Sequence, residues 1–434
     1  MKYFKIGSFK TDITPPVGYL LAGHTARNKP SIKIHDPLYL KCVSISNEKE
    51  TVFIITSDLI GFSPEFIKSV KNEIYKKLKI NPSKILITAS HTHTGPIMED
   101  TYYYSEKPLP DYISLLKKKI VGGIIQCLND KEDGIIKFGK GRVNIGIVNR
   151  RKKTEDGIKM MPDFNGPIDD EVSVIKFERK DGSPKVIFFN YTCHPTTLST
   201  DIYEISADYP GVAEREIENY YKGSTGMFSN GCCGNVRPAI IENGKFKGGS
   251  FNDIERMGKI LFSKVIEICE KAEIIESSDI ISLLKNFKFP LEKSLIPENE
   301  RKLYEVCKFY REKLKINLSE KWIEFMKEKL RKKEKFKDYV KGDLHLIKIG
   351  DIFILGLPGE VMVEIGLKLK EKNKNLIVCG YSNGLIGYIP TENGLKEGGY
   401  EATSFMYYLY PSIFSYDMEK KLIDASFKLL KNGT

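Results

Sequence analysis

The chain has 434 residues, 41% hydrophobic and 29% charged, a balance that fits a soluble globular protein and excludes a disordered or fibrous class. Its net charge is +11, but much of the excess lies between Glu298 and Lys341, where Glu and Lys alternate as on a solvated helix face. No nucleic-acid motif accompanies that charge, no apolar run approaches the ~20 residues that span a bilayer, and Met1 to Lys10 lacks the apolar stretch of a signal peptide. Neither a nucleic-acid nor a membrane partner is expected.

In chain order, Val52–Thr56 reads as a strand and Pro64–Lys77 as a helix, then Lys84–Ala89 as a strand and Asp111–Leu128 as a helix. Gly134–Phe138, Val172–Phe177 and Lys185–Tyr191 read as strands, Asp208–Tyr221 as a helix, Gly226–Ser229 as a short buried strand and Asn252–Lys271 as a helix. A basic helical insert covers 296–341. Strands follow at Leu344–Lys348 and Ile352–Gly356, a helix at Glu360–Lys372, a strand at Leu376–Cys379 and a last helix at Tyr416–Leu430. This alternation predicts an α/β fold, a layered mixed sheet with flanking helices, built as a single domain over 1–434 with 296–341 inserted in it. The eight cysteines include no CxxC pair and read as reduced thiols of a cytoplasmic protein; Cys232 and Cys233 read as small buried thiols.

Only six histidines are present. Two of them, in Ser90-His91-Thr92-His93-Thr94-Gly95-Pro96, leave the end of a predicted strand, and His194 leaves another in Thr192-Cys193-His194-Pro195. Open α/β sheets bind ligands outside the carboxyl ends of their strands, and neutral imidazole is the commonest metal ligand. A His-x-His alone is also ordinary turn chemistry. His24 and His35 read as loop-packing residues and His345, inside a strand, as structural. Asp58 is expected to orient a histidine from behind.

These loops, together with Thr11-Asp12-Ile13-Thr14-Pro15-Pro16, His35-Asp36-Pro37-Leu38, Gly234-Asn235-Val236-Arg237-Pro238, Pro358-Gly359-Glu360 and the Gly- and Tyr-rich stretch Tyr381–Tyr400, resemble the neutral (alkaline, non-lysosomal) ceramidase family of zinc-dependent amidases in order and spacing. The resemblance runs from Thr11 to about Ser404 and implies a neutral-ceramidase-like catalytic domain. Carried over by position, it implies a Zn2+ ion held by His91, His194, Glu360 and Tyr388, with His93, Arg150 and Tyr400 as catalytic residues. Glu360 and Tyr388 each keep a plainer reading, a helix-opening acid and a core aromatic.

The family's active-site serine lies in Gly-Asp-Val-Ser-Pro; Arg237 stands in its place here, and a trimmed relative without the family's secretion signal and C-terminal immunoglobulin-like domain is expected. Arg237 and Asn235 are expected to bind substrate, although Arg237 can equally pair with Asp208 or Glu216. The function expected is a zinc-dependent hydrolase attacking a carbonyl through metal-bound hydroxide. The bond is an amide or the carbon–carbon bond of a cyclic ketone, as in carbohydrate or cyclitol catabolism. The alternative is a non-catalytic, metal-retaining binding protein. The partner expected is a small polar or anionic substrate, and a homo-oligomer stays open.

Overall fold

The computed structural model describes residues 4–25, 27–98 and 107–433. The ends of the 1–434 span expected as one domain, Met1–Tyr3 and Thr434, thus lie outside the described residues. A nine-stranded mixed sheet runs in the order Thr225–Asn230, Pro184–Tyr191, Glu171–Arg179, Glu132–Arg142, Phe4–Asp12, Tyr39–Ser46, Thr51–Ser57, Ile85–Ala89, with Glu273–Ile274 branching from Glu132–Arg142. A second, four-stranded sheet has the order Ile280–Pro290, Tyr339–Ile349, Ile352–Gly356, Leu376–Cys379.

The two sheets stack face to face. Val43, Ile54, Leu86, Phe188 and Met227 of the first pack in one cluster with Ile347, Ile354 and Ile377 of the second. Alternate residues of the same strands, such as Cys42, Ile55 and Ile87, turn the other way onto helices Pro64–Leu78, Pro110–Asn129, Asp208–Tyr220 and Phe251–Lys271. The outer face of the second sheet is covered by the insert and by helices Val363–Lys370 and Met418–Gly433. A strand buried on both faces needs a continuous apolar run, which explains Ile-Leu-Ile at 85–87 and Val-Ile-Phe-Phe at 186–189.

The insert is a detour within a hairpin. Ile280–Pro290 and Tyr339–Ile349 pair antiparallel throughout, from Ile280 opposite Ile349 to Pro290 opposite Tyr339, and helices Glu300–Glu312 and Glu320–Arg331 fill the gap between them. Trp322, fully buried, donates from Nε1 to the Tyr410 carbonyl at 2.8 Å and meets Phe405 edge-on. The insert's lysines do more than coat a solvated face: Lys329, Lys335 and Lys337 line a cleft of about 860 Å³ with Lys68 and Lys71.

Several elements depart from the sequence reading. Phe4–Asp12, Tyr39–Ser46 and the hairpin Ile147–Thr154/Gly157–Asp163 are strands that apolar periodicity did not mark. The helix expected from Glu360 starts at Val363, because Glu360–Val361 instead pairs in parallel with Tyr388–Ile389. Among the described residues no helix is long and apolar enough to cross a membrane.

Candidate metal and catalytic centre

Three parallel strand pairs aim their carboxyl ends at one place: Thr51–Ser57 with Ile85–Ala89, Pro184–Tyr191 with Thr225–Asn230, and Ile352–Gly356 with Leu376–Cys379. The chain breaks sharply as it leaves them. His91 and Tyr381 adopt left-handed backbone, φ 70° and 52°, a conformation that costs a non-glycine residue energy and that clusters at functional sites. Asn230, which the sequence reading missed, ties the two histidine loops together. Its amide donates to the carbonyls of Ser90 at 2.9 Å and Cys193 at 3.1 Å, the residues just before His91 and His194.

The orientation of both imidazoles is fixed from behind. His91 Nδ1 lies 2.5 Å from the Ile60 carbonyl, and His194 Nδ1 lies 2.6 Å from the Cys233 carbonyl. A carbonyl only accepts, so each Nδ1 carries a hydrogen, and in the neutral imidazole this leaves Nε2 as the acceptor and metal-ligating atom. Both Nε2 atoms face the same carboxylate oxygen, Glu360 Oε2, at 3.2 Å for His91 and 3.0 Å for His194. His93 Nε2 joins them, 3.2 Å from His91 Nε2. Burial, helped by the Arg150 charge, pushes His194 down to about 4. Burial, then the neighbouring His91 and His24, pushes His93 well below the usual imidazole range. Burial pushes the Glu360 carboxyl up, but the adjacent imidazoles override it and hold it well below the carboxylate range. One ligand atom each from His91, His93 and His194 lies within 4.8 Å of the others, a group that could hold a metal ion.

The second wall comes from strands remote in sequence. Glu360 pairs in register with Tyr388, whose hydroxyl accepts from Arg150 Nη2 at 2.9 Å. Arg150 Nε donates to Glu401 at 2.9 Å, and Arg151 Nη1 donates to the other oxygen of the same carboxylate at 2.6 Å. The Arg150 guanidinium sits 5.4 Å from the ring centres of both Tyr388 and Tyr400, which meet edge-on at 5.5 Å. Glu401 is 1% exposed; the sequence reading missed it, although it adjoins Tyr400.

Two expectations are corrected. Asn235 does not face a substrate: it is fully buried, its oxygen accepts from Val363 N–H at 2.8 Å and its nitrogen donates to Glu364 at 3.0 Å, so both ends of the amide are engaged within the protein. Asp58 orients no histidine; it pairs with the buried Lys41 and accepts from Tyr39 N–H. Arg237, in contrast, forms no ion pair with Asp208, Glu216 or any other described carboxylate. Its Nε is buried without a partner among the described residues, and its guanidinium lies 4.4 Å over the Phe246 ring. Burial and the Arg150 charge lower it to about 10. His24 meets His93 edge-on at 4.9 Å, with its Nε2 buried and unpartnered. His35 stacks on Phe251, and His345 is held by Ser83, Ser282 and Asn383. All eight cysteines are free and buried; Cys233 contacts the Tyr381 hydroxyl at 3.0 Å.

A family model described as neutral/alkaline non-lysosomal ceramidase, N-terminal, matches residues 4–260. The chain belongs to this ceramidase family. Among solved structures it is similar to a neutral ceramidase from Pseudomonas aeruginosa, with a TM-score of 0.74 at 16% identity, over 98% of this chain and 73% of that one. It is equally similar to a ceramidase complexed with C2, again at TM-score 0.74 and 16% identity, over 98% of this chain and 74% of that one. At that identity the likeness is one of fold. The ceramidase-family match contains His91, His93, Arg150, His194 and Arg237, whereas Glu360, Tyr388 and Tyr400 lie beyond it and reach the same centre through the fold.

Proposed function

We propose that this ceramidase-family chain is a zinc-dependent hydrolase that cleaves an amide, or the carbon–carbon bond of a cyclic ketone, in a small polar or anionic substrate. One observation carries the reading. Two imidazole nitrogens and one carboxylate oxygen converge at 3.0–3.2 Å, an arrangement that a cation held in their midst would balance. Two oriented imidazoles, the Glu360 carboxylate and the Tyr388 phenol make a donor set suited to zinc, and the carbonyls behind each Nδ1 are the usual supports of such ligands. When bound, zinc supplies Lewis acidity and lowers the pKa of a coordinated water towards ~7.

The rest of the chemistry falls to the chain's own side chains. His93, kept neutral by burial, accepts a proton at Nε2 and returns it to the leaving group. Arg150, charged and clamped between Glu401 and Tyr388, supplies positive potential where the carbonyl oxygen gains charge, and the half-buried Tyr400 phenol donates there. A long apolar ceramide does not suit a site flanked by Arg237, whose Nε is buried without a partner among the described residues. Eight buried, unpaired thiols support a cytoplasmic setting.

Elemental analysis of the purified protein is expected to find one zinc per chain, lost in a His91→Ala/His194→Ala double variant. A double variant that keeps the parent's zinc moves the site elsewhere. A screen against amides and cyclic diketones then identifies the bond. His93→Ala should lower turnover roughly 10²–10⁴-fold while zinc stays bound, the range for a lost acid–base group. Ceramide hydrolysed as fast as the best polar substrate would overturn the substrate class, and full zinc with no turnover of either class would leave a binding protein.

A further inference from the structure

A buried charge or polar nitrogen without a partner is costly, and proteins rarely leave one unless a ligand completes it. Besides Nδ1 of His93 within the centre itself, two such nitrogens lie beside it: Nε of Arg237 and Nε2 of His24. Both side chains are half-buried, so each has atoms in reach of solvent while its unsatisfied nitrogen is enclosed. They come from distant parts of the chain. Arg237 lies on the short strand Val236–Pro238, paired opposite Val148, two residues before Arg150. His24 follows Gly23, whose left-handed backbone (φ 90°) lets the loop press against His93; a Cβ at Gly23 would lie 2.3 Å from that ring. Burial, then the Arg27 and Arg237 charges, hold His24 low, and the His24 ring rests edge-on against His93, so His24 lies on the same side of the centre as His93.

The chemistry selects one kind of occupant. A planar guanidinium over the Phe246 ring, with no carboxylate among the described residues paired to it, is set to receive two oxygens side by side. The His24 imidazole, in the tautomer that carries its hydrogen on the unpartnered Nε2, adds a third donor.

We propose that Arg237 and His24 form an oxyanion clamp that holds a carboxylate or phosphate group of the substrate, His24 being a substrate-binding residue rather than a packing one. The clamp rests on the hydrolase reading for the position of the scissile bond, but its own test needs no turnover. Inorganic phosphate and malonate are titrated calorimetrically into the zinc-loaded protein and into the protein after chelator treatment. Both forms should bind at least one of the two anions. Arg237→Met should weaken that binding at least ~10-fold, the scale of lost hydrogen bonds to a charged group. His24→Phe keeps the ring against His93 and should weaken it several-fold. Arg237→Lys keeps the charge without the fork and should fall between parent and Arg237→Met, which covers the case in which Arg237→Met fails to fold. Loss confined to phosphate or to malonate assigns the group. The clamp is overturned if neither anion binds, if both variants bind like the parent, or if chelation alone abolishes binding, since the anion then sits on the metal. Zinc content and hydrolysis of the same preparations report separately on the hydrolase reading: a clamp without zinc breaks that reading alone, and zinc with turnover but no clamp breaks this one alone.

Discussion

Two buried clusters of ionisable side chains adjoin the large sheet, and they are built on opposite plans. In one, Lys41, Asp58 and Glu214 are 0%, 3% and 4% exposed, and the lysine ammonium sits between the two carboxylates. Asp58 also accepts from Tyr39 N–H and Glu214 from Phe228 N–H, so the cluster carries its own cation and its remaining acceptors are occupied. In the other, His91, His194 and Glu360 turn acceptors towards one another with no protein cation between them. Burial alone therefore does not separate a structural cluster from a functional one. What separates them is whether the positive charge that balances the group belongs to the chain.

The largest effect should come from breaking the self-contained cluster. Lys41→Met leaves the Asp58 and Glu214 carboxyl groups enclosed without their counter-charge and should cost about 3–5 kcal/mol of stability in urea unfolding, the usual scale for a broken buried ion pair. Adding Asp58→Asn and Glu214→Gln should recover much of that loss. A Lys41→Met protein as stable as the parent would remove the lysine from its role as internal counter-ion.

The next effect distinguishes the clusters by the sign of their pH dependence. Glu214 is raised from 4.5 to about 8 by burial and by Asp58, so the folded state keeps a proton that the unfolded chain has released. Its contribution is fully present below 4.5 and is lost as pH rises towards 8. His194 is lowered from 6.5 to about 4, so the unfolded chain takes a proton that the folded state refuses. Its contribution is present above 6.5 and is lost as pH falls towards 4. Each limb has a slope of about 1.4 kcal/mol per pH unit. Urea unfolding of the metal-free parent, Glu214→Gln and His194→Gln between pH 4.5 and 7.5 should give difference curves of opposite slope. Parallel curves would show that the clusters do not differ as described.

How much of this was legible in the sequence follows from the same physics. The strands ending at Ala89 and Tyr191 are apolar runs stopped by polar turn residues, so their histidines stood out as strand-end groups. The strand Ile147–Thr154 carries Arg150-Arg151-Lys152-Lys153; nothing in its pattern marks a strand, because its partners and the Glu401 carboxylate replace the apolar face. Glu401 lies 251 residues from Arg150 and Asn230 lies 140 from Ser90, so their roles exist only after folding. Asn235 was misjudged for the complementary reason: its place in a site loop was readable, but the hydrogen bonds that turn its amide inward to Val363 and Glu364 were not.

The smallest effect is the most direct test of the open cluster. Glu360→Gln replaces an acceptor-only group with an amide whose N–H can donate to His194 Nε2, now 3.0 Å from the carboxylate oxygen. In the metal-free protein this removes a buried charge and turns an acceptor facing an acceptor into a hydrogen bond. The substitution should raise stability by about 0.5–1.5 kcal/mol, the net worth of one such bond. The same change should weaken zinc binding, since a neutral amide is a poorer ligand than a carboxylate. Stability gained on removing a buried group is the opposite of what Lys41→Met predicts, and the contrast can be read in a single pair of urea curves. If Glu360→Gln instead destabilises the metal-free protein, the carboxylate is already balanced by a proton held on His91 or His194. The two clusters would then share one plan, each carrying its own cation.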